Sequence, residues 1–450
     1  MFESFNSILK TIDSFVWGLP LIILIISVGL FLTIRLKGLQ ITKLGLAIKH
    51  TVKNEASGDG EVSGFASLCT ALSATIGTGN IVGVATALVA GGPGALFWMW
   101  IAAFFGMATK YAEGVLAVKY RTVDAKGQIS GGPMYYIELG LGKKYKPLAI
   151  AFAFFGILVA YFGIGTFAQV NSIVDITQLN AGIPFAGTAA ILTIAVAAVT
   201  LGGLQSIAAA ASRIVPAMAI LYMLSTIGIL VMFHDLIPMA IGEIFRDAFT
   251  PTAAQGGFLG ATVLFAMRNG IARGVFSNES GLGSAPIVAA AAKTDWPAEQ
   301  GLISMTGTFI DTIIICTMTG LTIVIGGLWT GDLNGAALTN ATFLKAYPQM
   351  GGYLLMVGLV LFAFTTILGW NYYGERCVEY LFGVKGIMPY RIIFIILIGL
   401  GAFLKLEAIW ILADIVNGLM AIPNLIALLG LSGAVVAETK RYFAHLKETA

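Results

Sequence analysis

The chain alternates between long apolar runs and short polar segments, and a helix of roughly 20 apolar residues is enough to cross a bilayer. About eleven spans are predicted from this pattern. Their bounds are 15–35, 64–90, 94–118, 147–173, 184–203, 213–234, 257–292, 300–327, 352–376, 389–404 and 408–431. Amphipathic stretches at 236–249 and 334–347, and the segment from Met1 to Asp13, are expected at the membrane surface. The pattern therefore predicts an all-α polytopic membrane protein.

Basic residues divide unevenly between the two sides of the membrane. Counted over alternate loops, one side holds nineteen Lys and Arg residues and the other holds four, Lys10, Arg246, Lys345 and Lys405. Cytoplasmic loops carry the excess of Lys and Arg in most membrane proteins. The N-terminus is therefore expected outside and the C-terminus in the cytoplasm, with multiple passes through the inner or plasma membrane of the cell.

Ten of the spans form two groups of five, 64–234 and 257–431, once the first span is set aside. Because each group has an odd number of spans, the second enters the membrane with the opposite orientation, as in an inverted-topology repeat. The N-terminal region, 1–63, is expected to hold an amphipathic helix, the extra span and a cytoplasmic loop. Residues 432–450 are expected to form a cytoplasmic tail.

Glycine and polar residues interrupt the middle of the second span. The glycines are Gly77, Gly79 and Gly83, and their polar neighbours are Ser73, Thr75, Thr78 and Asn80. Each glycine costs a helix about 1 kcal/mol relative to alanine, so the segment is expected to unwind. Close packing through small residues also explains the glycines, but it does not explain Asn80 and the hydroxyls. Unwound backbone inside a membrane lines a cavity or is buried in protein, and its polar groups suit a cation and an amino-acid carboxylate.

The seventh span, which opens the second repeat, is interrupted at the corresponding place by polar and glycine residues at 266–285. A paired interruption of two repeats is the best sequence indicator of a binding site. Arg268, Arg273 and Glu279 lie in this stretch, and ionisable groups inside a membrane are usually functional. Arg273 and Glu279 could meet across the unwound backbone, or each could hold a partner on another span. These charges could act as a gate at the mouth of a pathway, or form a permanent ion pair that braces the interruption.

Other ionisable residues lie inside the spans or at their ends. Asp311, within the eighth span, could pair with an arginine of the second interruption or belong to an ion path. Lys110 and Glu113 lie near the cytoplasmic end of the third span, where snorkelling or mutual pairing explains them. The charged residues at 375–379 are expected to form an interfacial cluster.

Two further spans carry polar residues at mid-depth. Thr365 and Thr366 offer adjacent hydroxyls in the ninth span, and Trp370, one helical turn later, would narrow an adjoining pocket. Carbonyls and hydroxyls together supply the hard, mostly uncharged oxygens that a sodium site needs. Gly165 and Gln169 share one face of the fourth span, and the Gln169 amide needs a bound substrate or another helix as its partner.

Composition and motifs exclude several other classes of protein. Hydrophobic residues make up 58% of the 450 residues and charged residues 11%, which is not the composition of a soluble globular protein. The three histidines lie in loops or the tail, and no metalloprotease, nucleophile-elbow or phosphate-loop motif occurs. The three cysteines are isolated, and no basic cluster is interleaved with aromatics. We expect no enzyme, no transition-metal site and no nucleic-acid partner.

A resemblance to the alanine or glycine:cation symporter family rests on TIGTGNIVGVA at 75–85. Further matching segments are GGPGALFWMW at 91–100, KYAE at 110–113, GGPMYY at 131–136 and GVFSNESGLGSA at 274–285, so the resemblance covers essentially the whole chain. It implies the leucine-transporter-type fold with two inverted five-helix repeats. It also implies import of alanine or glycine driven by Na⁺, or by H⁺ in some members, without an organic cofactor. The implied partners are the amino acid and the lipid bilayer.

The resemblance also implies roles for individual residues. The Thr75 carbonyl and the Asn80 side chain would lie near one Na⁺. The second Na⁺ would be held by carbonyls around Ser73, Ala74 and Ile76 and by the Thr365 and Thr366 hydroxyls. The substrate carboxylate would meet the Gly77, Thr78 and Gly79 amides, and its ammonium would face Gln169 and carbonyls of Phe276, Ser277 and Asn278. The implied substrate-binding set is completed by Thr75, Gly165, Thr366 and Trp370. Trp370 replaces a smaller residue of a leucine binder, which favours a small substrate.

Two other classes of membrane protein fit the pattern less well. A channel needs a continuous polar file through the bundle, whereas the polar residues here cluster at two interruptions. A receptor normally carries a sizeable soluble output domain, and no predicted cytoplasmic loop is long enough to form one.

Overall fold

The computed structural model describes residues 2–53, 58–250, 259–403 and 407–448, which are almost entirely helical. The helices before residue 251 are α1 (Phe2–Val16), α2 (Leu19–Arg35), α3 (Leu39–Thr42), α4 (Leu44–Lys53), α5 (Gly64–Thr75), α6 (Val84–Gly91), α7 (Gly94–Lys119), α8 (Pro133–Tyr136), α9 (Lys146–Phe162), α10 (Phe167–Ala181), α11 (Phe185–Thr200), α12 (Gly203–Met232) and α13 (Ile237–Phe249). The later helices are α14 (Leu259–Asn278), α15 (Pro286–Ala289), α16 (Pro297–Thr308), α17 (Thr317–Gly326), α18 (Gly335–Ala346), α19 (Gly351–Phe382), α20 (Ile387–Gly401) and α21 (Glu407–Glu448).

Shorter elements connect these helices. The π-helical turns are Gly79–Gly83, Ile137–Leu141 and Phe309–Cys316, and the 3₁₀ turns are Lys143–Tyr145, His234–Leu236 and Val384–Gly386. Two short strands, β1 (Thr122–Val123) and β2 (Ile129–Ser130), pair antiparallel in the loop after α7.

Apolar helices of membrane-spanning length confirm the predicted fold class. Among the described residues, eight are long and apolar enough to cross a membrane, or nine if Gly64–Thr75 and Gly79–Gly91, bent by 51°, form one span. The apolar helix Phe185–Thr200 is shorter. The predicted seventh span begins at 257–258, which lie outside the described residues. Helices α13 and α18 occupy the two stretches that the sequence predicts to be amphipathic.

The fourth predicted span is not one straight helix. Helix α9 ends at Phe162 and α10 begins at Phe167, so the chain is interrupted a third time, where 147–173 predicts continuity. The amides of Gly163 and Gly165 both donate to the Val159 carbonyl, at 3.0 and 3.3 Å, which turns the backbone out of the helical path. Glycine tolerates this turn because it has no Cβ.

The last helix runs beyond its predicted end at residue 431 and continues to Glu448. Its final turns pack against α7, where the Tyr111 and Thr439 hydroxyls bond at 2.8 Å and Lys119 pairs with Glu438. Tyr442 is buried as well. This packing stabilises residues 432–448, which the sequence predicts to be a cytoplasmic tail, as a continuation of the last helix.

The two interrupted helices pack against each other along both halves. At one end, Val62 forms a parallel bridge with Ala292, next to the contact between α5 and α15. At the other end, α6 lies against α14, where a Cβ on Gly91 would be only 2.9 Å from the Ala266 Cα. Small residues allow this approach, as is usual between membrane helices. The two interruptions are therefore brought together in the protein interior.

Candidate functional site

The first interruption begins where α5 ends at Thr75. Ile76 has an extended backbone, and the next two amides bond to side chains instead of to carbonyls of α5. The Gly77 amide donates to Asn80 Oδ1 at 2.9 Å, and the Thr78 amide donates to Gln169 Oε1 at 3.3 Å. In a continuous helix these amides would donate to the carbonyls of Ser73 and Ala74. The carbonyls of Ser73 and Ala74, two of the predicted Na⁺ ligands, therefore lack their usual helical donors.

Thr366 of α19 closes the other side of this interruption. The Thr366 hydroxyl oxygen lies 3.4 Å from the Ile76 carbonyl oxygen. A Cβ on Gly77 would be 2.3 Å from the Thr366 hydroxyl oxygen. Position 77 therefore has no room for a side chain. The Thr365 hydroxyl bonds carbonyls of its own helix and lies 3.5 Å from Met218 of α12. Of the two threonines, Thr366 is the one with a bond to the first interruption.

The second interruption is shorter than predicted. Helix α14 continues through Arg268 and Arg273 to Asn278, so the unwound part is 279–285 and not the whole of 266–285. Positive φ angles at Glu279 (57°), Gly281 (87°) and Gly283 (82°) turn the chain. Side chains rarely adopt this region, so a non-glycine residue such as Glu279 is held there by its surroundings.

Three carbonyls at the end of α14 lose their helical donors. The Ser280 amide donates to Asn278 Oδ1 at 2.9 Å, and the Gly281 amide donates to Glu113 Oε1 at 3.1 Å. The Leu282 amide donates to the Glu279 carbonyl. In a continuous helix these amides would donate to the carbonyls of 276–278. These are the carbonyls that the family resemblance assigns to the substrate ammonium.

Asp311 joins the two interruptions. Its carboxylate accepts hydrogen bonds from Asn80 Nδ2 at 2.7 Å, from the Ser277 hydroxyl at 2.9 Å and from the Thr312 hydroxyl at 2.7 Å. It is fully buried in the π-helical turn between α16 and α17. Pairing with an arginine, one of the two alternatives of the sequence analysis, is wrong, because these bonds come from neutral donors. Asp311 is missing from the predicted site, although a lone carboxylate in an apolar span signalled its importance.

Gly79 lets the first interruption pack closely against the end of α14, just before the second interruption. A Cβ at this position would lie 3.0 Å from the Ser277 Cα and 3.4 Å from the Phe276 ring. A side chain here would push the interruptions apart and strain the bonds from Asn80 and Ser277 to Asp311. This glycine is required by close approach between two backbones.

Arg273 and Glu279 do not pair with each other, so that alternative of the sequence analysis is wrong. Glu279 accepts from Trp370 Nε1 at 2.9 Å and from the Ser284 hydroxyl at 2.6 Å. Arg273 lies 3.4 Å from Asp414 of α21 and over the Phe276 ring, next to a cavity of about 150 Å³. Each charge therefore has partners on another span, which is the other predicted alternative.

Lys110 and Glu113 are buried, 3% and 1% exposed, so snorkelling does not explain them. Glu113 accepts from Asn424 Nδ2 at 2.7 Å as well as from the second interruption. Lys110 lines a cavity of about 10 Å³ together with Thr75 and Asn278.

Gln169 and Gly165 face the interruptions from α10 and the turn before it. Gln169 Nε2 donates to the Ile164 carbonyl at 3.1 Å, which directs Oε1 toward the Thr78 amide. A Cβ on Gly165 would be 2.8 Å from the Trp370 Cβ. The structure thus brings these predicted site residues together. Gln169 contacts an amide that was assigned to the substrate carboxylate, rather than facing an ammonium group.

A second cluster of charges lies at the far end of α19, and its side chains are buried within the protein. Arg376 pairs with Glu375 at 2.9 Å, with Glu379 at 2.8 Å and with Asp124 of the β1–β2 loop at 3.6 Å. Arg391 pairs with Glu375 at 2.6 Å. The cluster ties α19 to the loop after α7 and to α20.

Arg121, beyond the end of α7, ties the same region to the second interrupted helix. Its guanidinium donates to the carbonyls of Asp59, Ala290, Ala292 and Thr294 at 2.8 to 3.1 Å. Burial lowers the pKa of this guanidinium, and nearby carboxylates oppose that effect. These four bonds connect the end of α7 to the segment after α15 and to the residue Asp59 before α5.

Solved structures with this fold are membrane transporters. A crystal structure of MhsT in complex with L-phenylalanine matches with a TM-score of 0.60 at 13% identity, over 85% of this chain and 93% of that one. A manganese transporter from Eremococcus coleocola matches with a TM-score of 0.51 at 12% identity, over 85% and 82%. At this identity the likeness shows the fold alone. The protein is therefore a polytopic membrane protein with the leucine-transporter-type fold.

A family model described as the sodium:alanine symporter family matches residues 2–450, and the chain belongs to that family. A sodium/alanine symporter, AgcS, from Methanococcus maripaludis is 53% identical over 97% of both chains. An uncharacterized transporter from Haemophilus influenzae is 57% identical over 98% of this chain and 97% of its own. A probable sodium/glutamine symporter, GlnT, from Bacillus subtilis is 37% identical over 97% and 90%. The predicted family is confirmed, and the chain is a secondary transporter rather than an enzyme.

Proposed function

We propose that this transporter imports a small neutral amino acid, alanine or glycine, together with Na⁺ by alternating access across the cell membrane. The observation that carries the proposal is the meeting of two interrupted helices at Asp311, with five backbone carbonyls deprived of their helical donors. The family and the AgcS relative support sodium and alanine. Trp370 and Gly165 at the site support a substrate with a small side chain.

One Na⁺ is proposed beside Asp311, held by its carboxylate, the Thr75 carbonyl and Asn80. The Asn80 amide now donates to Asp311 and would turn its oxygen toward the ion. A second is proposed at the carbonyls of 73, 74 and 76 with the Thr366 hydroxyl, and with Thr365 if its hydroxyl turns. Hard oxygens with few full charges are the ligands that such cations prefer.

The amino acid is proposed to lie between the two interruptions. Its carboxylate would take the Thr78 amide from Gln169, together with the amides of Gly77 and Gly79, and its ammonium would face the carbonyls of 276–278. The buried Trp370 indole, fixed by Glu279 and packed against Gly165, would leave space for a small side chain.

Two sets of contacts are proposed as the gates. With the N-terminus outside, as the basic bias predicts, Arg273 and Asp414 would close the outer side and the Arg376 cluster would close the cytoplasmic side. Each Na⁺ that enters down 100 mV contributes about 2.3 kcal/mol, enough for more than a tenfold gradient of a neutral zwitterion.

H⁺ coupling is the second candidate, because Asp311 and Glu279 are buried carboxylates that can carry protons. Uptake of radiolabelled alanine into proteoliposomes separates the two. We expect uptake under an inward Na⁺ gradient and none under an inward K⁺ gradient of equal strength. Uptake driven by an inward pH gradient without Na⁺ would favour the second candidate. Uptake indifferent to both gradients would contradict coupled transport. Protein-free vesicles are the control.

A further inference from the structure

A groove far from the transport site lies between the end of α2 and the end of α21. Its volume is about 590 Å³. The lining residues on the α2 side are Arg35, Leu36, Lys37, Leu39, Thr42 and Lys43, and those on α21 are Val436, Thr439, Lys440, Phe443, Ala444 and Lys447. The groove therefore has an apolar floor and a basic rim.

The rim of the groove carries a net positive charge. Five cationic side chains line the groove, and none of its lining residues is acidic. Arg35 is fixed by a 2.8 Å bond to the Ser432 hydroxyl, and the Lys43 ammonium lies 4.9 Å from the centre of the Phe443 ring. Within the described residues, no carboxylate comes within ion-pair distance of Lys37, Lys43 or Lys440. The nearby Glu438 is already paired with Lys119. The rim is thus complementary to a ligand with negative charge.

The groove also lies where a membrane surface is expected. Arg35 ends the apolar helix α2, at the point where the first span leaves the bilayer on the side that the basic bias predicts to be cytoplasmic. Ile34 and Ile41, which adjoin the lining residues Arg35 and Thr42 in the chain, are 68% and 67% exposed. Apolar side chains this exposed in a membrane protein fit contact with acyl chains.

We propose that this groove binds the headgroup of an anionic glycerophospholipid from the adjacent leaflet. The lipid phosphate would be held by Lys37, Lys43 and Lys440, and the acyl chains would lie along Ile34 and Ile41. Basic pockets between membrane helices on this side are suited to anionic headgroups. A bound lipid would connect the first span to the last helix, two elements outside the paired interruptions.

The test compares two variants with the same loss of charge. Lys37→Gln, Lys43→Gln and Lys440→Gln together remove the rim. The control combines Lys49→Gln, Lys143→Gln and Lys144→Gln, which are exposed lysines on the same side but outside the groove. Each full-length protein is incubated with phosphatidylglycerol or phosphatidylcholine in detergent, and retained lipid is counted by native mass spectrometry.

We expect the original chain and the control to retain phosphatidylglycerol over phosphatidylcholine, and the rim variant to lose this retention by about tenfold or more. Equal retention by both variants would overturn the proposal, and so would equal retention of the two lipids. Inorganic phosphate, titrated by calorimetry, is expected to bind far more weakly than the lipid. Equally tight binding of phosphate would overturn the assignment to a lipid. Melting curves of both variants in lipid-free detergent confirm that they are folded.

Discussion

The two interruptions use different chemistry to hold an unwound backbone. The first is neutral: Asn80 and Gln169 accept from its amides, and glycine removes the side chain at the closest approaches. The second depends on buried carboxylates, since Glu113 accepts from its backbone and Glu279 is fixed by Trp370 and Ser284. Each of these two carboxylates accepts two hydrogen bonds, Glu113 from the Gly281 amide and Asn424, and Glu279 from Trp370 and Ser284.

This difference suggests a division of roles. The neutral bonds that the Gly77 and Thr78 amides donate to Asn80 and Gln169 can be exchanged for bonds to an ion or a zwitterion at small cost, so the first interruption is suited to rearrange when ligands bind. Breaking the bonds to Glu113 and Glu279 would leave several buried groups without partners at once, so the second interruption is suited to remain in place. Asp311 belongs to both, because it accepts from Asn80 on one side and Ser277 on the other.

Asp311→Ala should have the largest effect, because it separates the two interruptions. Three buried donors, on Asn80, Ser277 and Thr312, would lose their bond to this carboxylate, and a buried donor left unsatisfied costs about 1–3 kcal/mol. We expect sodium-dependent alanine uptake to fall about a hundredfold, which corresponds to about 3 kcal/mol. The measurement is the initial rate in proteoliposomes of matched protein content. Asp247→Ala, at a buried carboxylate of α13, is the control. Normal uptake by Asp311→Ala would show that the interruptions do not depend on this contact.

Gly77→Ala should have an intermediate effect through the first interruption alone. The new Cβ would be 2.3 Å from the Thr366 hydroxyl, and overpacking of this kind costs about 1–3 kcal/mol. We expect about a tenfold loss of uptake with a raised half-saturating Na⁺ concentration, because Thr366 is displaced from the Ile76 carbonyl. Gly187→Ala is the matched control, since its Cβ would meet nothing closer than 3.6 Å. An unchanged Na⁺ dependence for Gly77→Ala would argue against a cation near Thr366.

Trp370→Phe should have the smallest effect and acts through the second interruption. It keeps an aromatic ring near Gly165 but removes the indole N–H that donates to Glu279, which retains its bond from Ser284. A single such bond contributes about 1 kcal/mol, so we expect about a fivefold loss of alanine uptake. Trp370→Ala also removes the bulk, and leucine should then compete for uptake. If leucine competes equally with the original chain and with Trp370→Ala, this side chain does not limit substrate size.

Much of the site was predictable because residues close together in the chain decide where each helix is interrupted. The glycines around Gly77 mark where α5 must end, and the polar run before Pro286 marks an interruption of the seventh span. The extent of that interruption was not predictable. Arg268 and Arg273 are compatible with a helix once Arg273 has Asp414 as a partner, so α14 continues to Asn278. The family also follows from local motifs, since they are contiguous in the chain.

The sequence by itself determined the class of protein, the family and the approximate positions of both interruptions, because hydrophobic periodicity and glycine content act over a few residues. Only the tertiary structure decided which side chains meet. Asn80 and Asp311 are 231 positions apart, and Trp370 and Glu279 are 91 apart. Such pairings depend on how helices pack at angstrom separations, where one missing Cβ, as at Gly79 against Ser277, permits or prevents a contact.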